Sequence, residues 1–259
     1  MKYSKKTGKY FVVPDEIIQA AIEYRDLIPV YIWVARRRNI YDDESYLTMQ
    51  NTIEATGRKP SKSARSNGTI HSKVVACLGW LQRHGYFEGA EVDFERLSLT
   101  TTFKLKLNAE RFDAPERYVF VFVDDVARLL DISEQYKVRY CNLLHVYCYI
   151  AEHIYSNKRG TPPSDWQPEV FRASVNALQG VLDMSPTTVN KALVALVDGK
   201  MLDRHIYKSV GANDGDAYRQ GKTIYALYDG DNLFNKQIAA ALKMEKGKGV
   251  LDENSQITS

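Results

Sequence analysis

Five histidines, three cysteines and seventeen tyrosines are the residues of this chain that could carry chemistry. His71, His84, His145, His153 and His205 form neither an HxH nor an HExxH pair, so no metal-ligand spacing is present. No GxxxxGK[ST] phosphate loop occurs. Cys77, Cys141 and Cys148 lack CxxC spacing, and each sits in an apolar run, where a free thiol acts as a small core residue. A tyrosine nucleophile would need a metal-binding His pair or an Arg–His–Arg constellation beside it, and neither can be placed. Asp124-Asp125 reads as a helix N-terminus rather than as a paired acid and base. The expectation is a protein without catalytic residues, metal or cofactor.

What remains is a chemistry of contacts. Net charge over the 259 residues is only +3, too mild to identify a partner, so local clustering has to carry the point. Arg58 to Lys73 holds five Lys or Arg residues, namely Arg58, Lys59, Lys62, Arg65 and Lys73, and no acid. A second set, Ser185, Thr187, Thr188, Asn190 and Lys191, offers hydrogen-bond donors at helical spacing.

The elements that would position these residues are legible from local signals. Tyr10 to Pro14 is strand-like, and Asp15 stands where a helix cap would. Leu27 to Ala35 reads as a buried helix, and Thr48 to Thr56 as a helix ended by Gly57. After the basic stretch, Val74, Leu78 and Leu81 define one buried helical face. Tyr86-Phe87 and Leu97 to Leu107 then read as a hairpin with its tip at Gly89 to Glu95.

The second half follows the same plan. Tyr118 to Val123 is strand-like, Leu143 to Ala151 is a buried helix, and another helix is expected from Glu169 to Leu182. Ser185 as N-cap and Pro186 at the first helical position open the next, in which Val189, Leu193 and Leu196 repeat. Leu202 to Ser209 and Thr223 to Tyr228 form a second hairpin, with Arg219 and Lys222 at or near its tip. The tail 243–259 has low hydrophobicity and is expected to be disordered.

The two halves superimpose in sequence. Leu27, Val30, Tyr31 and Ala35 fall on Leu143, Val146, Tyr147 and Ala151 at an offset of 116 residues. Val74, Leu78 and Leu81 fall on Val189, Leu193 and Leu196 at an offset of 115. Two segments that agree on nearly one offset point to an internal duplication. The expected fold is α+β and mainly helical, with repeated domains at 10–110 and 116–236.

Strand, three helices and a hairpin is the order of the winged helix, a variant of the helix-turn-helix. Ala177 to Val189, with its Ser-x-x-Thr-Val ending, resembles the turn that introduces a recognition helix. That helix turns Thr187, Lys191, Val194 and Asp198 away from the core, with Asn190 on the flank. The first domain offers Ser72, Lys73, Ala76 and Arg83 on the corresponding face, with Arg58, Lys59, Lys62 and Arg65 just before it. Such a loop suits a phosphate backbone or a minor groove. The first hairpin tip carries Glu91, Asp93 and Glu95, a poor match for DNA, and the second mixes both signs.

The tandem arrangement resembles plasmid and phage replication initiators built from two winged-helix domains, over about residues 10–107 and 118–228. The opening Tyr10-Phe11-Val12-Val13-Pro14-Asp15-Glu16-Ile17-Ile18, with the Val30-Tyr31 helix, is similar to the start of initiator and primosomal winged-helix domains of Gram-positive bacteria and their mobile elements. The resemblance implies sequence-specific binding of double-stranded DNA at repeated sites, with a homodimer or an assembly on DNA as the working form. Tyr31, Trp33, Tyr147 and Tyr149 could serve such assembly but read more simply as core. A transcriptional repressor or activator would use the same surface, and a protein-binding assembly module of a replication complex would use the same fold. No signal peptide and no apolar run long enough to span a bilayer is visible, so the expected setting is the cytoplasm.

Overall fold

The first strand, β1 (Tyr10–Pro14), pairs antiparallel with β5 (Tyr118–Phe122), far along the chain, in a register running from Tyr10↔Phe122 to Pro14↔Tyr118. The computed structural model describes residues 9–60, 69–113, 115–156, 169–209, 220–228 and 235–247. Among these it is α+β, about 54% helical, with ten α-helices and small antiparallel sheets. Residues Thr7–Cys148 form one compact unit, and the described residues from Tyr149 on form a second. This division differs from one between 110 and 116: β5 pairs with β1, and the helices that follow it fall in the same unit as far as Cys148.

In the first unit, α1 (Asp15–Ala20) is not capped by Asp15. Pro14 holds the N-cap position, and Asp15 and Glu16 fill the first turn, where acidic charge suits the helix dipole. Seven of the ten residues of α2 (Leu27–Arg36) are buried, and Pro29 is tolerated because first-turn amides have no intrahelical acceptor. The Tyr31 hydroxyl donates to the Val12 carbonyl at 2.7 Å, and its ring stacks on Phe112, so Tyr31 is core.

A strand not expected from the sequence follows, β2 (Glu44–Thr48), in which only Ser45 and Leu47 are buried. Next come α3 (Met49–Glu54), capped by Thr48, and α4 (Ile70–Arg83), capped by Thr69. Gly57 beyond α3 has φ +74° and lies against Tyr140, so a side chain there would be both strained and crowded. β3 (Phe87–Glu88) and β4 (Thr102–Leu107) complete a sheet of order β2-β4-β3. Leu97 to Thr101, expected as strand, is not. Ser98 Oγ accepts from the Thr101 amide and turns the chain there. Helix α5 (Ala109–Asp113) closes this part.

After β5 come α6 (Val123–Tyr136) and α7 (Tyr140–Ser156), whose Tyr147 and Tyr149 are buried. Also on α7 is His145, which lies in the first unit with 1% of its surface exposed. Burial first, and the charge of Arg25 second, push its pKa down to about 4. The unfolded chain therefore takes up the proton first. Stability is full above about pH 6.5, falls as pH drops, and levels off near pH 4 after a loss of about 3 kcal/mol. Urea titrations at stepped pH should show this slope beginning above the carboxylate range, and His145→Leu should abolish it. A slope unchanged in His145→Leu would contradict the assignment.

In the second unit, β6 (Phe171–Arg172) pairs with Tyr225 and Ile224 of β8 (Gln220–Leu227), which also pairs along β7 (Leu202–Ser209), giving the order β6-β8-β7. The helix expected from Glu169 is thus a correction. α8 (Val175–Leu182) starts only behind its cap, Ser174, because Phe171 and Arg172 are committed to the sheet. α9 (Pro186–Asp198) begins where the Ser185-Pro186 signal puts it.

The tail is a second correction. α10 (Lys236–Gly247) runs past residue 243, with Ile238, Ala241 and Leu242 buried against Tyr207 and Ile224. Glu245 also pairs with Arg172 at 3.2 Å. Residues after 247 lie outside the described set.

The same local device, a common one, closes α4, α6, α8 and α9. Past α4, Gly85 has φ +73° and the Tyr86 amide donates to the Leu81 carbonyl at 3.0 Å. Past α9, Lys200 has φ +54° and the Met201 amide donates to the Leu196 carbonyl at 2.8 Å. Between α4 and α9, donors, acceptors and left-handed residues all stand 115 positions apart. The buried residues Val74, Cys77, Leu78, Trp80 and Leu81 match Val189, Ala192, Leu193, Ala195 and Leu196 at the same spacing.

Candidate nucleic-acid interface

Helix α9 sorts its residues by side. Val189, Ala192, Leu193, Ala195 and Leu196 face the core, while Thr187, Asn190 and Lys191 are exposed. Those three make no side-chain hydrogen bond or ion pair among the described residues. Ser185 Oγ accepts from the Thr188 amide at 3.2 Å and lies 2.9 Å from the Thr188 hydroxyl. Ser185 and Thr188 are therefore occupied with capping. Pro186 has no N–H, so the first turn offers an incoming anion the amide of Thr187.

Helix α4 repeats the cap. Thr69 Oγ1 accepts from the Ser72 amide at 3.3 Å and sits 3.2 Å from the Ser72 hydroxyl, so Ser72 supports the cap and is half-buried. Lys73 and Arg83 are exposed at opposite ends of the helix. Arg83 lies back along the helix, its Nη1 3.3 Å from where a Cβ on Gly79 would be.

The basic stretch divides. Arg58 Nη2 donates to Asp26 Oδ1 at 3.1 Å and to Cys141 Sγ at 3.7 Å. Asp26 is 1% exposed, so this is an ion pair reaching into the core. Arg58 anchors the end of α3 to α2 and α7, and that task competes with holding a phosphate. Lys59 is exposed. Lys62 and Arg65 lie outside the described residues, as does Arg219. On β8, Lys222 is exposed opposite Tyr207.

The first hairpin carries no basic patch. Asp93 accepts from the Glu95 amide and pairs with Arg96, Lys104 pairs with Glu44 at 2.9 Å, and Lys106 donates to the Asp42 carbonyl. The three cysteines are free and buried, and burial pushes their thiol pKa values up.

Among the described residues no group of His, Cys, Asp and Glu could hold a metal ion, and no helix is long and apolar enough to cross a membrane. The features missed by sequence reasoning are β2, β6 and the Arg58–Asp26 pair. Thr48 and Ser174 cap the helices that follow and so mark where those strands stop. No protein-family model, no curated protein and no solved structure matches the chain at a significant level.

Proposed function

We propose that the chain binds double-stranded DNA through two related winged-helix domains, residues 10–110 and 116–236. Both halves follow the order strand, helix, helix, short strand, helix, helix, hairpin, with sheets of order β2-β4-β3 and β6-β8-β7. In each, the first strand of the sheet joins the outer side of the last, as a winged helix requires. The matching buried positions of α4 and α9, at one spacing of 115 residues, support a common origin. The observation that carries the reading is the exposed set Thr187, Asn190 and Lys191, without side-chain partners among the described residues, on a helix that leads directly into a hairpin.

The job that fits best is initiation of replication on a plasmid, phage or other mobile element, acting in the cytoplasm on repeated duplex sites. Two modules on one chain suit such sites, and the opening residues resemble those of initiators. In this reading α9 supplies more of the sequence readout, and the basic turn between α3 and α4 more of the electrostatic grip.

Arg58 is best left out of a test of that grip, because it belongs to the fold. Replacing Lys59, Lys62 and Arg65 together should weaken binding to all duplexes alike. It should also flatten the dependence of log affinity on log salt by about 0.9 for each phosphate that is no longer neutralised. Fluorescence anisotropy of a labelled duplex across salt concentrations reads this directly. A slope unchanged from wild type removes the turn from the interface.

A further inference from the structure

Six large hydrophobic side chains are exposed among the described residues, and four of them, Tyr10, Ile40, Tyr41 and Tyr46, lie in the first unit. Ile40 and Tyr41 are consecutive and are 81% and 91% exposed. They sit on the turn between α2 and β2, and that turn is heavily fixed. Arg38 donates from Nε to Asp43 at 2.7 Å, and from both terminal nitrogens to the two Asp113 oxygens at 2.6 and 2.9 Å. Asn39 Oδ1 accepts from the Tyr41 amide at 3.1 Å, and Asn39 Nδ2 donates to Asp42 at 3.0 Å. Asp43 sits at φ +58°, a left-handed conformation that these bonds hold in place.

The turn thus presents Ile40 and Tyr41 to solvent on a backbone that is already fixed. Fixing a loop before binding reduces the entropy lost on binding, which is how a contact surface gains affinity.

Beside the turn is a cleft of about 920 Å³, lined in part by Tyr10, Phe11, Ile40 and Phe112. Lys9 and Arg36 border the same cleft, are exposed, and make no ion pair among the described residues. Its one carboxylate, Asp113, is already held by Arg38. The cleft is apolar with uncompensated positive charge, and its complement is a segment that alternates apolar and acidic side chains.

The strand register places the turn away from the hairpin tip. Glu44 pairs with Lys106 and Phe87 with Leu107, so the turn lies at the end of the sheet where α4 enters β3. The 89–101 connection lies at the other end.

We propose that the Arg38–Asp43 turn and its cleft are a docking site for an acidic, apolar segment of a partner protein. This stands independently of the DNA reading. The probe is a labelled peptide of about a dozen residues with Leu and Phe interleaved among Glu and Asp, and the control carries Lys in place of the acids. On the full chain, the acidic peptide should bind and the lysine peptide should not.

The double variant Ile40→Ser, Tyr41→Ser should weaken peptide binding by about tenfold or more. Neutralisation by Lys9→Gln, Arg36→Gln should do the same, and both double variants should stay folded and keep duplex binding. Absence of peptide binding, equal binding of both peptides, or unchanged binding in both variants overturns the proposal. So does a wild-type dimer that the Ser variant abolishes, which would make a second copy the occupant. Loss of duplex affinity in the Ser variant would assign the turn to DNA instead.

Discussion

Replacing Arg58 with alanine is expected to destabilise the protein by about 3 kcal/mol, because it leaves Asp26 charged and unpaired in the core. Arg58 keeps a quarter of its side-chain surface exposed, which holds the effect to the lower end of what breaking a buried pair costs. Asp26 has little recourse, since its second oxygen finds no hydrogen-bond partner. A Tm lower by roughly 10 °C should accompany the change. The pairing makes a further demand. Asp26→Asn in the Arg58→Ala background should recover much of the stability, because the neutral amide no longer requires a cation. Calorimetry of the two single variants and the double variant measures this coupling. An Arg58→Ala protein within about 0.5 kcal/mol of wild type would show that the pair is a surface contact after all. The result also governs how DNA-binding data are read, since a defect in Arg58→Ala would arise through the fold.

The second large effect is expected on α9. Replacing Thr187, Asn190 and Lys191 together with alanine should lower affinity for the preferred duplex by about 100-fold, because two or three hydrogen bonds to bases or phosphates can no longer form. Affinity for unrelated duplexes should fall far less. The fold should be unaffected, since all three side chains are exposed and without partners among the described residues, and alanine favours a helix. The contrast between an unchanged Tm and a collapsed preference separates a readout role from a structural one. Equal reductions on preferred and unrelated duplexes would make α9 a phosphate-binding element only.

How far the sequence reaches is clear from particular residues. Helix α9 is legible because its signals are local: Ser185 and Pro186 mark its start, and Val189, Leu193 and Leu196 mark one face. β2 and β6 are not, since β6 has two residues and β2 is mostly polar, and each gains its identity only from a partner many positions later. The same holds for Arg58. Its charge marks it as a surface residue, and only the fold brings Asp26 beneath it, thirty-two positions back. Residues 243–247 read as tail because they are polar, yet they continue α10, which Ile238, Ala241 and Leu242 hold on the β7–β8 sheet. The candidate site is thus readable in its exposed donors and less so in its cations, where a basic residue serves the core at position 58 and faces solvent at 191.

The central claim is that this chain reads duplex DNA by sequence, and selection from a random duplex library tests it most directly. Wild-type protein and the Thr187, Asn190, Lys191 variant would be carried through the same rounds at about 100 mM salt, where non-specific contacts are weak. Wild type is expected to enrich a defined motif, and the variant to fail to enrich it while remaining folded. Recovery of no motif by wild type, or of the same motif by both, would contradict the claim.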